Sequence, residues 1–404
     1  MTPRTPARPI AFVGGLAAIA LVLALAAPLG ARAQQADGTL ALDPSQAMEA
    51  SRSVANQPTS GAPQYSVWIV ESCTFKDVPA GGFMPDRAYV PGSTNAANNQ
   101  VFFQLPVNVG IIKAGNEVVM YDTGWKQQTY IQSNNCVNWA PIRDQMAVIN
   151  MTPEDVTKVV IGHGHWDHAG QVDEFPNATL YVQQAELEGI QWAINYPNPK
   201  ISETVCGRRP ACGYPPDIVD QIYGKILKNQ ATIVNGEMDI APGLTIHPAH
   251  RAHTAGSQLL QVNTARGQMM FGSDAYSSWE GIRDWLAANI QQTDTVQQFL
   301  AYEKCYQVTN NDIGNCIAAH EPTSYTANYP VTANCWTGPN GSRGAELTLA
   351  PGEQSRKPAG QSGCARAVAA APAAQPSAPA PAAKPAPPAP PAAKPAGAPA
   401  QAPR

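Results

Sequence analysis

The residues best suited to chemistry lie together in Val159-Val160-Ile161-Gly162-His163-Gly164-His165-Trp166-Asp167-His168-Ala169-Gly170. There an apolar run gives way to four metal-ligating side chains within six positions. A strand feeding a loop is the simplest local structure for such a run. Alternate side chains of an extended backbone point the same way, so His163 and His165 can share one ion, while Asp167 and His168, past a bend, serve a second. The chain has seven histidines, and three in one short window are more than an ordinary polar loop collects by chance. Neutral imidazole and carboxylate suit zinc and its borderline-soft neighbours.

The window His163-Gly164-His165-Trp166-Asp167-His168 resembles the H-x-H-x-D-H motif of the metallo-β-lactamase-fold superfamily. The companions of that motif follow in order: His253 in Ala252-His253-Thr254-Ala255-Gly256, Asp274 in Phe271-Gly272-Ser273-Asp274, and His320 in Ala318-Ala319-His320-Glu321-Pro322. An Asp122-Thr123-Gly124 turn precedes them. The resemblance implies an α/β fold, a four-layer αββα sandwich of two similar halves, where propensity alone supports only mixed α and β. It also implies that His163, His165 and His253 hold one metal, that Asp167, His168 and His320 hold a second, and that Asp274 bridges both. Two zinc ions are the expected cofactor, with other divalent metals open.

Such a site implies hydrolysis: a hydroxide between the ions attacks a polarised carbonyl, and Asp167 also carries a proton to the leaving group. Tyr276, two residues beyond Asp274, is a second catalytic candidate, as a donor to the developing oxyanion. The acyl-homoserine lactone lactonases have a Tyr in this role at a slightly different offset, and a simple packed Tyr is the alternative. His247 and His250 are expected behind the ligands or in structural roles.

The run Thr157 to Gly170, with Phe175-Pro-Asn-Ala-Thr-Leu-Tyr-Val-Gln183 and Glu186, is similar to the lactonase branch. This ranks a lactone or related ester first, as a small-molecule substrate in a pocket drawn from Trp125, Trp139, Trp166, Trp192 and Trp279. A secreted β-lactamase is the close competitor, favoured by His253-Thr-Ala-Gly-Ser257 and disfavoured by Asp274, since the three-histidine β-lactamases lack a bridging carboxylate. Organophosphate, aryl ester or acyl-thioester hydrolysis, iron-dependent oxidoreduction from another class, and a non-catalytic binding role are the remaining readings.

Both ends of the 404-residue chain read as non-globular. Arg4 and Arg8, an apolar run from Ile10 to Leu29 and Ala31-Arg32-Ala33 have the layout of a signal peptide over residues 1–33, cleaved before Gln34. An uncleaved anchor is the competing reading. The expected product is exported, periplasmic or extracellular, with no stable membrane insertion. Residues 34–64 are expected as an arm over the domain, 65–364 as the catalytic domain with a cysteine-bearing extension, and the Ala/Pro-rich 365–404 as a disordered tail. The net charge of −4 argues against a nucleic-acid partner. Eight cysteines in an exported chain point to disulfides, with Cys206–Cys212 and Cys305–Cys316 suggested by closeness alone.

Apolar patterning places strands at Tyr65–Val70, at Val107–Ile112 and Glu117–Tyr121 as a hairpin, and at Val159–Ile161, Asn177–Val182, Gly243–His247, Gln258–Asn263, Gln268–Phe271 and Ile317–Ala319. Helices are expected after Thr152-Pro153 and at Gln184–Ile194, Asp217–Leu227 and Thr293–Tyr306. Pro79–Asn99 and Asn195–Pro216 read as loops bordering a pocket.

Overall fold

Successive buried side chains alternate between two cores along the strands and so set the layers. On β1 (Ser66–Pro79) Trp68 and Val70 face one way and Val67 and Ile69 the other; on β3 (Glu117–Tyr121) Val118 and Met120 oppose Val119 and Tyr121. Both faces are apolar, as a sheet covered on both sides requires. The computed structural model describes residues 56–79, 102–126, 128–133, 135–195, 213–276, 278–288, 294–321, 323–326, 329, 331–361 and 364. The leader expected over 1–33, the first part of the arm, nearly all of the Pro79–Asn99 loop, the Cys206 and Cys212 pair and the tail over 365–404 lie outside these residues.

The first sheet joins β1 and β3 to β2 (Phe102–Ala114), β4 (Cys136–Val137), β5 (Lys158–Val160), β6 (Thr179–Gln183), β7 (Ala231–Val234), β13 (Asn334–Thr337) and β14 (Arg343–Thr348). Its order is β13-β14-β1-β2-β3-β5-β6-β7, with β4 on β1. The second sheet runs β12-β11-β10-β9-β8, from β8 (Met238–Ala241), β9 (Leu244–Pro248), β10 (Gln258–Thr264), β11 (Gly267–Phe271) and β12 (Cys316–Ile317). The expected hairpin closes tightly, Ala114 pairing Glu117 around Gly115, whose φ of 56° suits glycine.

One core lies between the sheets, where Val67, Ile69, Val119 and Val160 of the first meet Ile246, Leu260, Val262, Met269 and Phe271 of the second. The outer face of the first sheet packs on α2 (Ile142–Val148), α3 (Gln184–Asn195) and α4 (Pro216–Leu227) through Met146, Ile190, Ile218 and Ile222. The outer face of the second packs on α5 (Trp279–Asp284) and α6 (Thr295–Val308) through Ile282, Ala301, Tyr302 and Tyr306. These four layers are the αββα sandwich that the motif implies. The remaining short helix, α1 (Gln128–Ser133), precedes β4.

Several elements depart from the sequence reading. The helix expected after Thr152 is a single 3₁₀ turn, Pro153–Asp155, closed by reciprocal bonds between Thr152 and Asp155. The strand expected at Ile317–Ala319 ends at Ile317. The cysteine-bearing extension is part of the first sheet, for β14 pairs β1 antiparallel and Cys335 on β13 is bonded to Cys364. Cys305–Cys316 is paired as suggested, and Cys73–Cys136 joins β1 to β4. The last part of the arm lies along the second sheet, with Asn56 bonded in both directions to the Gln268 backbone.

Candidate metal centre

Parallel pairing of β3, β5 and β6, and of β11 with β12, turns the C-terminal ends of these strands the same way. The donors sit just past those ends, where open α/β sheets present their ligands. His163 follows β5, Asp274 follows β11 and His320 follows β12, while His253 lies on the loop from β9 to β10. Their ligating atoms form three compact groups: His163, His165 and His253; Asp167, His168 and His320; and His163, His168 and Asp274, each within 4.8 Å. The structure thus brings all seven expected ligands together, in the two expected triads.

Asp274 stands between the triads with one oxygen toward each. Its Oδ2 is 3.3 Å from His253 Nε2 and 4.0 Å from His163 Nε2; its Oδ1 is 2.8 Å from His320 Nε2 and 3.3 Å from His168 Nε2. His168 Nε2 lies 3.4 Å from Asp167 Oδ2, and His165 Nδ1 lies 3.1 Å from His253 Nε2. Two donors on one tetrahedral zinc, each about 2.1 Å from it, are separated by about 3.4 Å. The spacings therefore fit donors around shared ions, and His163 Nε2 and His168 Nε2 are buried with no hydrogen-bond partner among the described residues.

The electrostatics agree with that chemistry. Burial, reinforced by His168, His253 and His165, holds His163 well below the ordinary histidine range, and burial with His253 beside it takes His165 down to about 3. His163 and His165 are therefore neutral imidazoles, the form that ligates metal. Burial alone would raise Asp274, yet His320, His168 and His253 hold it well below the carboxylate range. Burial alone would lower His168, yet Asp167, Asp274 and Asp122 raise it well above the histidine range. His320 is raised against burial chiefly by Asp274. A pocket that draws positive charge this strongly suits a divalent cation.

The supporting groups escape a search for ligand spacing. Asp122, left-handed at φ 61°, accepts from Gly162 N at Oδ1 (2.6 Å) and contacts His168 Nδ1 with Oδ2 (2.9 Å). Ser273 Oγ donates to the same Oδ2 (2.7 Å) and lies 3.1 Å from His163 Nδ1. Glu186, fully buried at the start of α3, accepts from Gly164 N, Tyr214 Oη, Thr254 Oγ1 and Gly256 N at 2.7–2.9 Å. One carboxylate thereby clamps the His163–His165 loop to the His253 loop. Asn108 on β2 does the same for His320, with its side chain donating to Ala318 O and its backbone N to Ala319 O, while His320 Nδ1 donates to Pro106 O. The Glu186 quoted for the lactonase likeness carried a signal, whereas a lone Ser or Asn carries none.

Two expectations are corrected. Tyr276 does not reach the donors: buried on the outer side of the second sheet, its hydroxyl donates to Ala301 O (2.8 Å) and its ring packs on Tyr302. Ser273–Tyr276 is a 3₁₀ turn, and at about three residues per turn positions two apart point well away from each other, so a phenol at 276 cannot share the direction of the carboxylate at 274. Of the five tryptophans, Trp166 stacks on His165 and Trp125 packs edge-on to Trp166. Trp279 bonds Ile313 O instead and Trp192 is exposed, while Trp139 donates to Trp125 O. Phe75, set between Trp125 and His320, is an aromatic wall not anticipated. His247 is held by Glu237 and Gln261 and His250 contacts Gln183, so neither enters the donor set.

The Metallo-beta-lactamase superfamily model matches residues 103–303, which carry six of the seven donors. An N-acyl homoserine lactonase of Bacillus cereus is 24% identical over 221 residues, covering 51% of this chain and 77% of that enzyme. N-acyl homoserine lactonase AttM of Agrobacterium fabrum is 47% identical over 45 residues, 11% of this chain and 17% of that enzyme. Among solved structures, a quorum-quenching N-acyl homoserine lactone lactonase superposes with a TM-score of 0.48 at 16% identity, covering 66% of this chain and 95% of that one. The chain therefore belongs to the metallo-beta-lactamase superfamily and is a metal-dependent hydrolase.

Proposed function

We propose that the protein is an exported hydrolase using two zinc ions to open a lactone ring or a related ester. The observation that carries this reading is Asp274, whose two oxygens each face one triad. A carboxylate so placed favours a lactonase-type site over a three-histidine β-lactamase site, and the 24% identity to a lactonase over 77% of its length points the same way. The cystine pairs Cys73–Cys136, Cys305–Cys316 and Cys335–Cys364 support an oxidising compartment.

His163, His165 and His253 would hold one ion, Asp167, His168 and His320 the other, and Asp274 both. Bound zinc supplies an acidified water and a Lewis acid for a carbonyl oxygen. The protein does the rest. Asp122 and Pro106 O accept hydrogen bonds from Nδ1–H of His168 and His320, so each ring keeps its Nε2 toward the cluster. His165, half-buried beside the nearly buried His253 and Asp167, marks the side open to substrate. Asp167 is held ionised, because His168 and His320 outweigh the burial that would raise it. It can therefore accept a proton from the attacking water and return it to the leaving alkoxide. Phe75, half-buried and backed by the buried Trp125, offers an apolar wall for the acyl part, with Trp166 stacked behind His165.

The test is a hydrolysis panel of acyl lactones, β-lactams, aryl esters and phosphotriesters on the mature protein, with N-terminal sequencing of the exported product. Highest kcat/KM on a lactone and a new terminus at Gln34 are expected. A β-lactam or phosphotriester as the best substrate would displace the lactonase reading, and an intact Met1 the cleaved leader.

A further inference from the structure

We infer that Ser273 is a positioning residue that extends the hold of the buried Asp122 carboxylate from the second metal position to the first. The inference rests on the two-position reading above. Asp122 touches His168 directly, through Oδ2 to Nδ1 at 2.9 Å, but reaches His163 through Ser273: Ser273 Oγ donates to Asp122 Oδ2 at 2.7 Å and faces His163 Nδ1 at 3.1 Å. The same hydroxyl lies 3.1 Å from His168 Nδ1. A serine hydroxyl has one proton and two acceptor sites. With its proton on Asp122, it is left to accept from His163 Nδ1–H, which fixes the tautomer that turns His163 Nε2 toward the ion. One anion thereby orients a histidine of each triad.

The backbone argues that the side chain is retained for this use. Ser273 sits at φ 46° and its partner Asp122 at φ 61°, a left-handed conformation in which glycine rests without strain. Ser273 is also tightly surrounded, since a Cβ at Gly162 would come within 2.2 Å of Ser273 Cβ and 2.6 Å of its Oγ. The residue before His163 is thus a glycine where the serine side chain needs the space. Glycine at 273 would remove both the strain and the crowding, and with them the link from Asp122 to His163.

Ser273→Gly and Ser273→Ala, each stripped of metal and titrated with zinc(II) alone by calorimetry, test the inference. Wild-type protein should take up two zinc ions, and both variants should bind one of the two about 10- to 100-fold more weakly, the usual effect of losing a group that orients a ligand. Metal-free melting should not fall for Ser273→Gly, and the loss should disappear in an Asp122→Asn background, because Ser273 acts through that carboxylate. Both zinc affinities within twofold of wild type in either folded variant, or an undiminished loss in the Asp122→Asn background, would overturn the role of Ser273 alone. A wild-type protein that binds no zinc would overturn the metal site with it.

Discussion

At the scale of single residues, what separates Asp274 from Tyr276 is direction. Two positions apart on one 3₁₀ turn, the carboxylate faces four histidines and the phenol faces Ala301. Tyr276→Phe should therefore leave kcat and kcat/KM unchanged and lower stability by about 1–2 kcal/mol, the cost of a lost buried hydrogen bond, as equilibrium urea unfolding would measure. Histidine neutrality makes a second prediction. His165 titrates near 6.5 when unfolded and at about 3 in the metal-free fold. Between those values the unfolded chain carries the extra proton, so the contribution of His165 to stability is present above about 6.5 and lost as pH falls toward 3. Metal-free His165→Gln should lose less stability than metal-free wild type on acidification through that window, read from denaturant midpoints at several pH values.

At the scale of elements, the ligand-bearing strands were legible because their apolar runs end abruptly in rare residue types. Val159-Val160-Ile161 before His163 and Met269-Met270-Phe271 before Asp274 combine a buried strand with a metal-ligand residue type, and few local structures accommodate both. β13 and β14 gave no such signal. Arg343-Gly-Ala-Glu-Leu-Thr has little apolar alternation, and its place beside β1 depends on pairing across 270 or more residues. That pairing is sealed by charge: Glu71 on β1, fully buried, accepts from Arg343 Nε at 2.7 Å and Nη2 at 3.0 Å. Removing one partner of a buried pair strands the other. Arg343→Met should accordingly cost about 3 kcal/mol with the metal content of the folded protein unchanged, and an unaltered melting temperature would show that β14 is held by its ladder alone.

At the scale of the whole molecule, two sheets place donors that are 157 positions apart, His163 and His320, around one carboxylate. The donors themselves could be read from the chain because a ligand must be His, Asp, Glu or Cys. Of the groups that aim them, Glu186 was visible only through the family likeness, and Ser273 and Asn108 could not be read, since they acquire their roles only when β2 and β3 are brought beside β5, β11 and β12. Metal content per chain tests the central claim most directly. Elemental analysis of zinc-loaded wild type should give about two ions per chain, and Asp274→Asn should retain less than half of that with kcat/KM down about 1,000-fold. One ion per chain in wild type, or an unchanged metal content in Asp274→Asn, would contradict a pair of positions joined by this carboxylate.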